Sequence, residues 1–552
     1  MISRRGGRAL ALSFLCLAAV ALPVALTGAA TVTNANENAR TLTLSVPGPF
    51  NGCSYLDSGA TPTTDAILDL VRPSAFVTSA NNTLAGESGA IASAELISLQ
   101  PETVIYTIAA DQSWSNGVPF LGSDLVGWWQ RARSLSSAVS DGYRAIKTLT
   151  VSPDGLVVTA VFATPYADWN LLFRDVEAIG TRKGCAIRNL VTRPSLGPYR
   201  VTRATTTRVV LAMNTNWPLD TNRFGRIVIT DSPLFPKSAS TVFASYSLAL
   251  NRGQIELLST HPTLLSHIFS SSNVEELTFA PSRPFTQRVV VRKALSWSID
   301  RQLLIDKLFG AVTFSPSVAA SVIYSQGQAQ YPGTVGAGPG GQTTTTSSPG
   351  SSSNGLSDCL TCALELLKES GYHRTVAGWL NDVGQLLSIR LGEGPSALDH
   401  SVATFIEGDW KKLGVSTVLI EESSDAAAAR GAATNQVDVA VLSRPTSTTP
   451  SFAARSWAGP AYPNTYLSGV RTTALATLFT QATAIFNPVT ASATWLRFDQ
   501  IIMRNYWARP LFTAPSIVVW SSSLVTVQNS LSVAGLVDQV PTWSIAPPLT
   551  PT

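Results

Sequence analysis

One apolar run, Ala9–Leu26, sets the terms on which the rest of this chain folds. It follows the basic segment Met1–Arg8 and precedes the small residues Thr27-Gly28-Ala29-Ala30. This is the three-part pattern of a secretory leader, with cleavage expected after Ala29 or Ala30. A retained N-terminal anchor is the alternative, although Pro23 interrupts the run. Cys16 lies inside the run and does not read as a lipid attachment site. No later stretch approaches the roughly 18 apolar residues of a membrane span. From residue 31 onward the chain is expected to fold in water, exported beyond the membrane.

The leader also accounts for most of the charge. Of 39 Lys and Arg, three (Arg4, Arg5 and Arg8) lie in it, which leaves 36 against 35 Asp and Glu. A body this neutral has no field for nucleic acid or an anionic membrane. Charged residues are 13% of the chain, half the ~25% usual in globular proteins. Ser, Thr, Asn, Gln and Gly must therefore supply much of the surface. With 552 residues the chain exceeds what one core holds, so two or more lobes are required. After Cys16 four cysteines remain: Cys53, Cys185, Cys359 and Cys362. An even number in an oxidising space implies two disulfides. Cys359-Leu-Thr-Cys362 reads as a local bond at a helix start, and Cys53–Cys185 as a long-range one.

Periodicity places the elements. Thr41–Val46, Thr103–Ala109, Tyr199–Val201, Arg208–Met213 and Arg226–Ile229 read as strands. Ile146–Val151 and Val157–Phe162 form a hairpin about Pro153-Asp154-Gly155. Helices are expected over Thr64–Leu70, Ser123–Arg133 with Ser123 as cap, Ala167–Phe173, and one long segment Val289–Leu308. Further on, helix Cys359–Ser370, strand Leu386–Leu391, helix Ser401–Leu413 and strand Val415–Glu421 alternate. That alternation predicts an α/β lobe. Helices Leu475–Ile485 and Ala491–Tyr506 precede short strands over Leu511–Trp543. Gly333–Gly355 is rich in Gly, Pro, Thr and Ser and has almost nothing to bury, so a mobile loop is expected there. Its Gly336–Gly341 run matches GxGxxG but neither follows a strand nor opens a helix.

No sequence pattern argues for catalysis. GxSxG, Ser-x-x-Lys, HExxH and the GxxxxGK[ST] loop are all missing. The histidines His261, His267, His373 and His400 are scattered, so no metal or cofactor is expected. Glu275-Glu276 and Glu421-Glu422 read as solvated pairs.

Six blocks in order carry a family resemblance. They are Trp114-Ser-Asn-Gly117-Val-Pro119 through Asp124; Thr150–Phe162 followed by Pro165-Tyr166; Gly197-Pro198-Tyr199 with Leu211–Trp217; Val291-Arg-Lys-Ala-Leu-Ser-Trp-Ser-Ile-Asp-Arg301; Ala363–Tyr372; and Trp410–Val415. Together they resemble the family 5 extracellular solute-binding proteins, the oligopeptide- and dipeptide-binding components of ABC importers. The resemblance implies an α/β, two-lobed fold of the periplasmic-binding-protein kind, with mixed sheets, flanking helices, a hinge and an extra subdomain. Residues 31–280 would form lobe I, with the subdomain over about 73–182. Residues 281–508, including the 333–355 insert, would form lobe II, and 509–552 would return to lobe I. The crossings are expected near Phe279–Phe285 and Arg509–Pro515.

The implied function is capture of a peptide or other small polar solute between the lobes, for delivery to a membrane permease. A monomer, no enzyme activity and no nucleic-acid partner are expected. In peptide-binding members an Asp of the second lobe pairs with the peptide's α-amino group. The corresponding stretch here, Val441–Pro450, has no acid but holds Arg444, Thr446 and Ser447, which suits an anionic or polyhydroxyl ligand better. Phe50 and Asn51, in the loop after the first strand, and Trp457 and Tyr462 are the other expected ligand contacts. A non-transport envelope regulator on the same fold, binding a lipid or glycan intermediate, is the alternative.

Overall fold

The computed structural model describes residues 41–545 except a few single positions and segments 57–60, 80–82, 136–139, 181–185, 218–223, 232–241, 248–263, 311–315, 333–357, 446–448, 459–467 and 528–535. The leader and the 333–355 tract lie outside the described residues.

The chain opens with strand β1 (Thr41–Ser45) and helix α1 (Pro62–Asp69). Thr61 caps α1 and Pro62 stands in its first turn, where a missing N–H costs nothing. Next comes a four-stranded antiparallel sheet of β2 (Ile91–Leu99), β3 (Glu102–Ile108), β4 (Ile146–Val151) and β5 (Val157–Phe162). Its order is β2-β3-β5-β4. The β4–β5 hairpin has the bounds its alternation predicts. Helices α2 (Gly122–Arg133) and α3 (Ser140–Ala145) pack on this sheet around Tyr106, Trp114, Phe120, Trp128 and Phe173.

Two local expectations fail here. Helix α2 is not capped by Ser123. Instead the Leu121 amide donates to the Asp124 carboxylate at 3.1 Å. The expected helix Ala167–Phe173 is a single 3-10 turn over Trp169–Leu171. Phe173 takes φ +55°. Its ring packs edge-on against Tyr106 and Tyr143, and its amide donates to the Tyr143 hydroxyl at 2.7 Å. Tertiary contact overrides the local periodicity.

The chain then builds β6 (Tyr199–Ala204), β7 (Arg208–Met213), β8 (Arg226–Thr230), β9 (Val242–Ser247) and the 16-residue β10 (Leu264–Phe279). The second half begins with α4 (Val289–Trp297) and α5 (Arg301–Phe309). One helix was expected there. It breaks because Asp300 caps α5 by accepting from the Leu303 amide at 2.9 Å. Two side chains from a later helix hold the break: Asp409 accepts from the Asp300 amide at 3.2 Å, and Trp410 Nε1 donates to the Leu295 carbonyl at 3.0 Å.

The disulfide-bonded pair Cys359–Cys362 closes the first turn of α6 (Leu360–Glu369), as expected. Cys53 is buried and disulfide-bonded; Cys185 lies outside the described residues. The remaining elements are β11 (Ser388–Glu393), α7 (Ala397–Leu413), β12 (Ser416–Glu421), α8 (Asp425–Ala433), β13 (Val439–Pro445), α9 (Pro450–Ala458), α10 (Thr473–Thr483), α11 (Pro488–Arg504) and β14 (Ala508–Ser521). Helix α7 starts four residues earlier than its periodicity suggests, because Ser396 and Asp399 cap each other's backbone. Near the C-terminus, where short strands are expected, β14 is one strand of 14 residues buried on both faces, and short strands follow it at Leu524–Val525 and Ser544–Ile545.

Ten strands join in one mixed sheet, in the order β12-β11-β13-β10-β14-β9-β1-β8-β7-β6. Strands β10 and β14 run through its middle and serve two cores. Phe269 and Val518 belong to the core around β1 and α1. Leu277, Phe279, Leu511 and Phe512 belong to the core around α4, α7 and β11. Phe279, expected at a crossing, is thus already inside the second core. Between these residues the β10–β14 register slips twice, at Ser270/Val274 and at Glu275/Glu276. No helix among the described residues is long and apolar enough to cross a membrane.

The cap reassignment is testable. Ser123 is exposed, so Ser123→Ala should change unfolding free energy by less than ~0.5 kcal/mol. Asp124→Ala should cost about 1–2 kcal/mol, read from thermal or urea unfolding.

Candidate functional site

Strand direction and register locate the site. Strands β1 and β9 are parallel, and so are β11 and β13. The carboxyl end of β9 reaches Ser247, opposite Ile517 of β14. The carboxyl end of β13 reaches Pro445, opposite Asn273 of β10. Val274 next to it faces Thr513 of β14. The strands of the two halves therefore point at each other and stop on the same stretch of the β10–β14 pair. Thr513 and Ile517 lie about 13 Å apart at ~3.3 Å per residue. Open α/β sheets bind ligands beyond the carboxyl ends of their strands, so the candidate site is the space between these two sets of ends.

The floor of that space is polar. Ser271 Oγ donates to the Ala514 carbonyl at 2.8 Å and accepts from the Asn273 amide at 3.1 Å. Thr513 and Ser516 are buried. Asn273 Oδ1 and Thr513 Oγ1 are buried with no hydrogen-bond partner in the protein. Buried polar atoms are ordinarily bonded, so this pair leaves room for the groups of a bound solute or water.

Charge at the second-half edge is handled internally. Arg444 does lie at the end of β13, but it is 2% exposed, and its Nε and Nη2 donate to Glu276 Oε1 at 2.9 and 2.7 Å. Its guanidinium lies 5.8 Å from the Trp457 ring. The preference for an anion, drawn from an unpaired Arg444, therefore does not hold. Glu275 and Glu276 are both fully buried, not solvated. Glu275 projects to the opposite face of the sheet from Glu276. Burial, aided by the charges of Asp399 and Asp425, pushes its carboxyl well above the usual range. Burial and the Asp399 charge push Asp425, in the first turn of α8, up to about 7. Among the described residues no group of three or more His, Cys, Asp or Glu is arranged to hold a metal ion.

The other expected contacts divide. Trp457 is fully buried with α9–α11, and its Nε1 has no partner. Phe50 is fully buried in the first core, and its amide donates to the Thr206 carbonyl at 2.7 Å, so it packs rather than lines the space. Asn51 is exposed, and its carbonyl accepts from the Thr61 amide at 3.4 Å. Thr446, Ser447 and Tyr462 lie outside the described residues. The structure thus brings Arg444 and Trp457 together. It adds Asn273 and Thr513, for which the polar Ser270–Asn273 run gives no strand signal, and Glu276, which the sequence reads as solvated.

Residues 88–468 match the profile described as bacterial extracellular solute-binding proteins, family 5 Middle. The oligopeptide-binding protein OppA of Mycobacterium tuberculosis (strain ATCC 25618 / H37Rv) is 25% identical over 165 residues, which is 28% of this chain and 28% of that protein. The probable monoacyl phosphatidylinositol tetramannoside-binding protein LpqW of the same strain is 30% identical over 129 residues, 22% of this chain and 20% of that protein. The chain thus matches under a third of either relative's length. The solved periplasmic EDTA-binding protein EppA superposes with a TM-score of 0.78 at 20% identity, over 92% of this chain and 96% of that one. The fold is the two-lobed fold of periplasmic binding proteins.

Two outcomes follow from the buried charges. Glu276→Ala strands a buried guanidinium and should cost about 3–5 kcal/mol, whereas Glu276→Met with Arg444→Met should cost much less; chemical denaturation separates them. Asp425 has a raised pKa when folded, so between its unfolded value and about 7 the folded state holds the extra proton. Stability should therefore fall as pH rises from 5 to 8, by at most ~1.4 kcal/mol per pH unit for one proton. The slope in a melting series should be shallower in Asp425→Asn.

Proposed function

This chain belongs to the family 5 extracellular solute-binding proteins, and on that premise we propose that it captures a peptide or other small polar solute between its lobes and passes it to the permease of an ABC importer. It works by binding and release, not catalysis, as a monomer on the outer side of the membrane, where the leader-like N-terminus directs it. The observation that carries the reading is the convergence of strand ends from both lobes on the β10–β14 pair. Among the described residues only β10 and β14 of the shared sheet contribute to both cores, so a solute bound there is enclosed when the lobes approach.

The ligand is recognised by neutral hydrogen-bonding groups at the floor. The end of β13 offers a solute no net charge, because Glu276 neutralises Arg444. Asn273 Oδ1 accepts from a solute N–H or O–H, and Thr513 Oγ1 both donates and accepts. Amides and hydroxyls fit; a bare ammonium or carboxylate at that position does not.

Mass spectrometry of protein purified from an exporting host, before and after gentle denaturation, tests the proposal. One small solute per monomer is the expected result. The reading fails if no solute is released and scattering shows no compaction with any member of a peptide, polyol and metal-chelate library.

A second reading, a non-transport envelope protein that binds a glycolipid intermediate, draws on the LpqW match and on the absence of an acid from Val441–Pro450. It predicts a solvent-extractable glycolipid in the same experiment instead of a water-soluble solute.

A further inference from the structure

The halves of the molecule touch a second time, away from the shared strands, where the four-stranded subdomain meets helices α9 and α10. Three contacts lie there. The Arg455 guanidinium of α9 is paired with the Asp141 carboxylate of α3, 314 residues away in sequence. The Asp168 carboxylate, in the loop after β5, is buried close enough to Arg455 to feel its charge. The Ala167 amide donates to the Thr483 carbonyl at 2.9 Å. Thr483 is the last residue of α10, so the subdomain supplies an N–H to a helix end that would otherwise face water.

Arg455 is the centre of this contact. It is 6% exposed, and its guanidinium also lies 5.6 Å from the Phe479 ring of α10. Phe479 belongs to the same half and would stay with Arg455 if the halves parted. The two carboxylates would not. Arg455 is thus buried where the two halves meet and is compensated by acids from the subdomain.

We propose that Arg455 is the positioning residue of lobe closure: its bonds to Asp141 and its field with Asp168 hold the subdomain on the second lobe and so set how long a captured solute is retained. The purpose assigned to the contact rests on the solute-capture reading; the contact itself does not. A guanidinium next to water in the open state costs nothing, whereas one buried without its acids in the closed state costs several kcal/mol. Removing Asp141 therefore penalises closure, while its other pair, with Arg144 of the same helix, lies within the subdomain and is the same in both states. A charge-assisted pair with one partner part-exposed is worth about a ten-fold change in the closed-to-open ratio. Affinity for a solute bound by the closed form changes by the same factor.

The test needs no ligand. Spin labels at Lys147→Cys in β4 and Ala493→Cys in α11, both exposed positions, report the distance between the two halves by double electron–electron resonance. The unsubstituted pair should show mainly the short distance. Asp141→Asn and Arg455→Gln should each raise the long-distance population about ten-fold. The double substitution should be no worse than either single one, because the two residues act as a unit. Molar salt should move the unsubstituted protein in the same direction, a readout that stands even if a variant folds poorly. An unchanged short-distance population in both variants and in salt overturns the proposal, as does a double variant whose effect is the sum of the singles. If no solute is ever found but these shifts occur, the capture reading fails and the closure contact stands.

Discussion

Everything in this molecule hangs on the antiparallel pairing of β10 and β14. Two strands of 16 and 14 residues run from one hydrophobic core into another and are hydrogen-bonded to each other almost throughout. Phe269 and Val518 fix one end of the pair; Leu277 and Phe512 fix the other. The ends are clamped by apolar burial, at about 25 cal/mol per Å² removed from water. The middle is not. There the register slips, the side chains are Ser271, Asn273, Thr513 and Ser516, and two buried polar atoms lack protein partners. A slipped, polar stretch between two anchored ends is where a strand pair bends most cheaply. That stretch is also where the strand ends of the two halves converge.

The same economy governs charge. With few charged residues overall, the chain still buries Glu275, Glu276, Arg444, Asp399, Asp499 and Arg509 in its second half. Glu276, Arg444 and Arg509 are paired, Glu275 and Asp499 are driven toward their neutral forms, and Asp399 accepts from the Ser396 amide and hydroxyl. Glu276 takes Arg444, Asp358 takes Arg509 and Arg301, and burial pushes the Asp499 carboxyl up to about 7. Buried pairs contribute little net stability but make wrong registers expensive. Across β10, β13 and β14, strands far apart in sequence that must align within one residue, they act as register marks. The cleft edge is thereby left without net charge.

Much of this was legible in the sequence, and what was not has a common cause. The β4–β5 hairpin could be bounded to the residue because β5 buries one face and alternates and Pro153-Asp154-Gly155 marks the turn. Helix α6 and the end of α7 were legible from caps, through Cys359 and Gly414. Strand β10 was invisible. Its second half, Asn273–Phe279, is buried on both faces and Leu265–His267 near its start are exposed, so it does not alternate, and its centre is a polar run that reads as a loop. Arg444 was found at the right strand end, but its partner lies 168 residues away, and no local pattern announces that Glu276 is buried. The break between α4 and α5 was hidden for the same reason. The apolar periodicity continues through it, while Asp409 and Trp410 impose the turn from outside. Sequence periodicity reports one element's own burial; it is silent wherever a second element sets the geometry.

These features divide labour in a way that a charged cleft could not. If the cation at the end of β13 were free, closure and recognition would draw on one electrostatic source, and a solute of the wrong charge would hold the lobes open or shut. Here the Arg444 charge is spent on Glu276, inside one lobe. The long-range charge contact between lobes sits at Arg455, on the helix that follows β13, and reaches Asp141 on the subdomain. On the proposed reading, recognition is left to shape and to neutral donors and acceptors at Asn273 and Thr513, and closure to a charge contact remote from the solute. Substitutions at the floor would then change what is bound, and substitutions at α9 how long it stays. Family 5 proteins are extracytoplasmic, where ionic strength is set by the surroundings; on the proposed reading retention would respond to salt while selectivity would not.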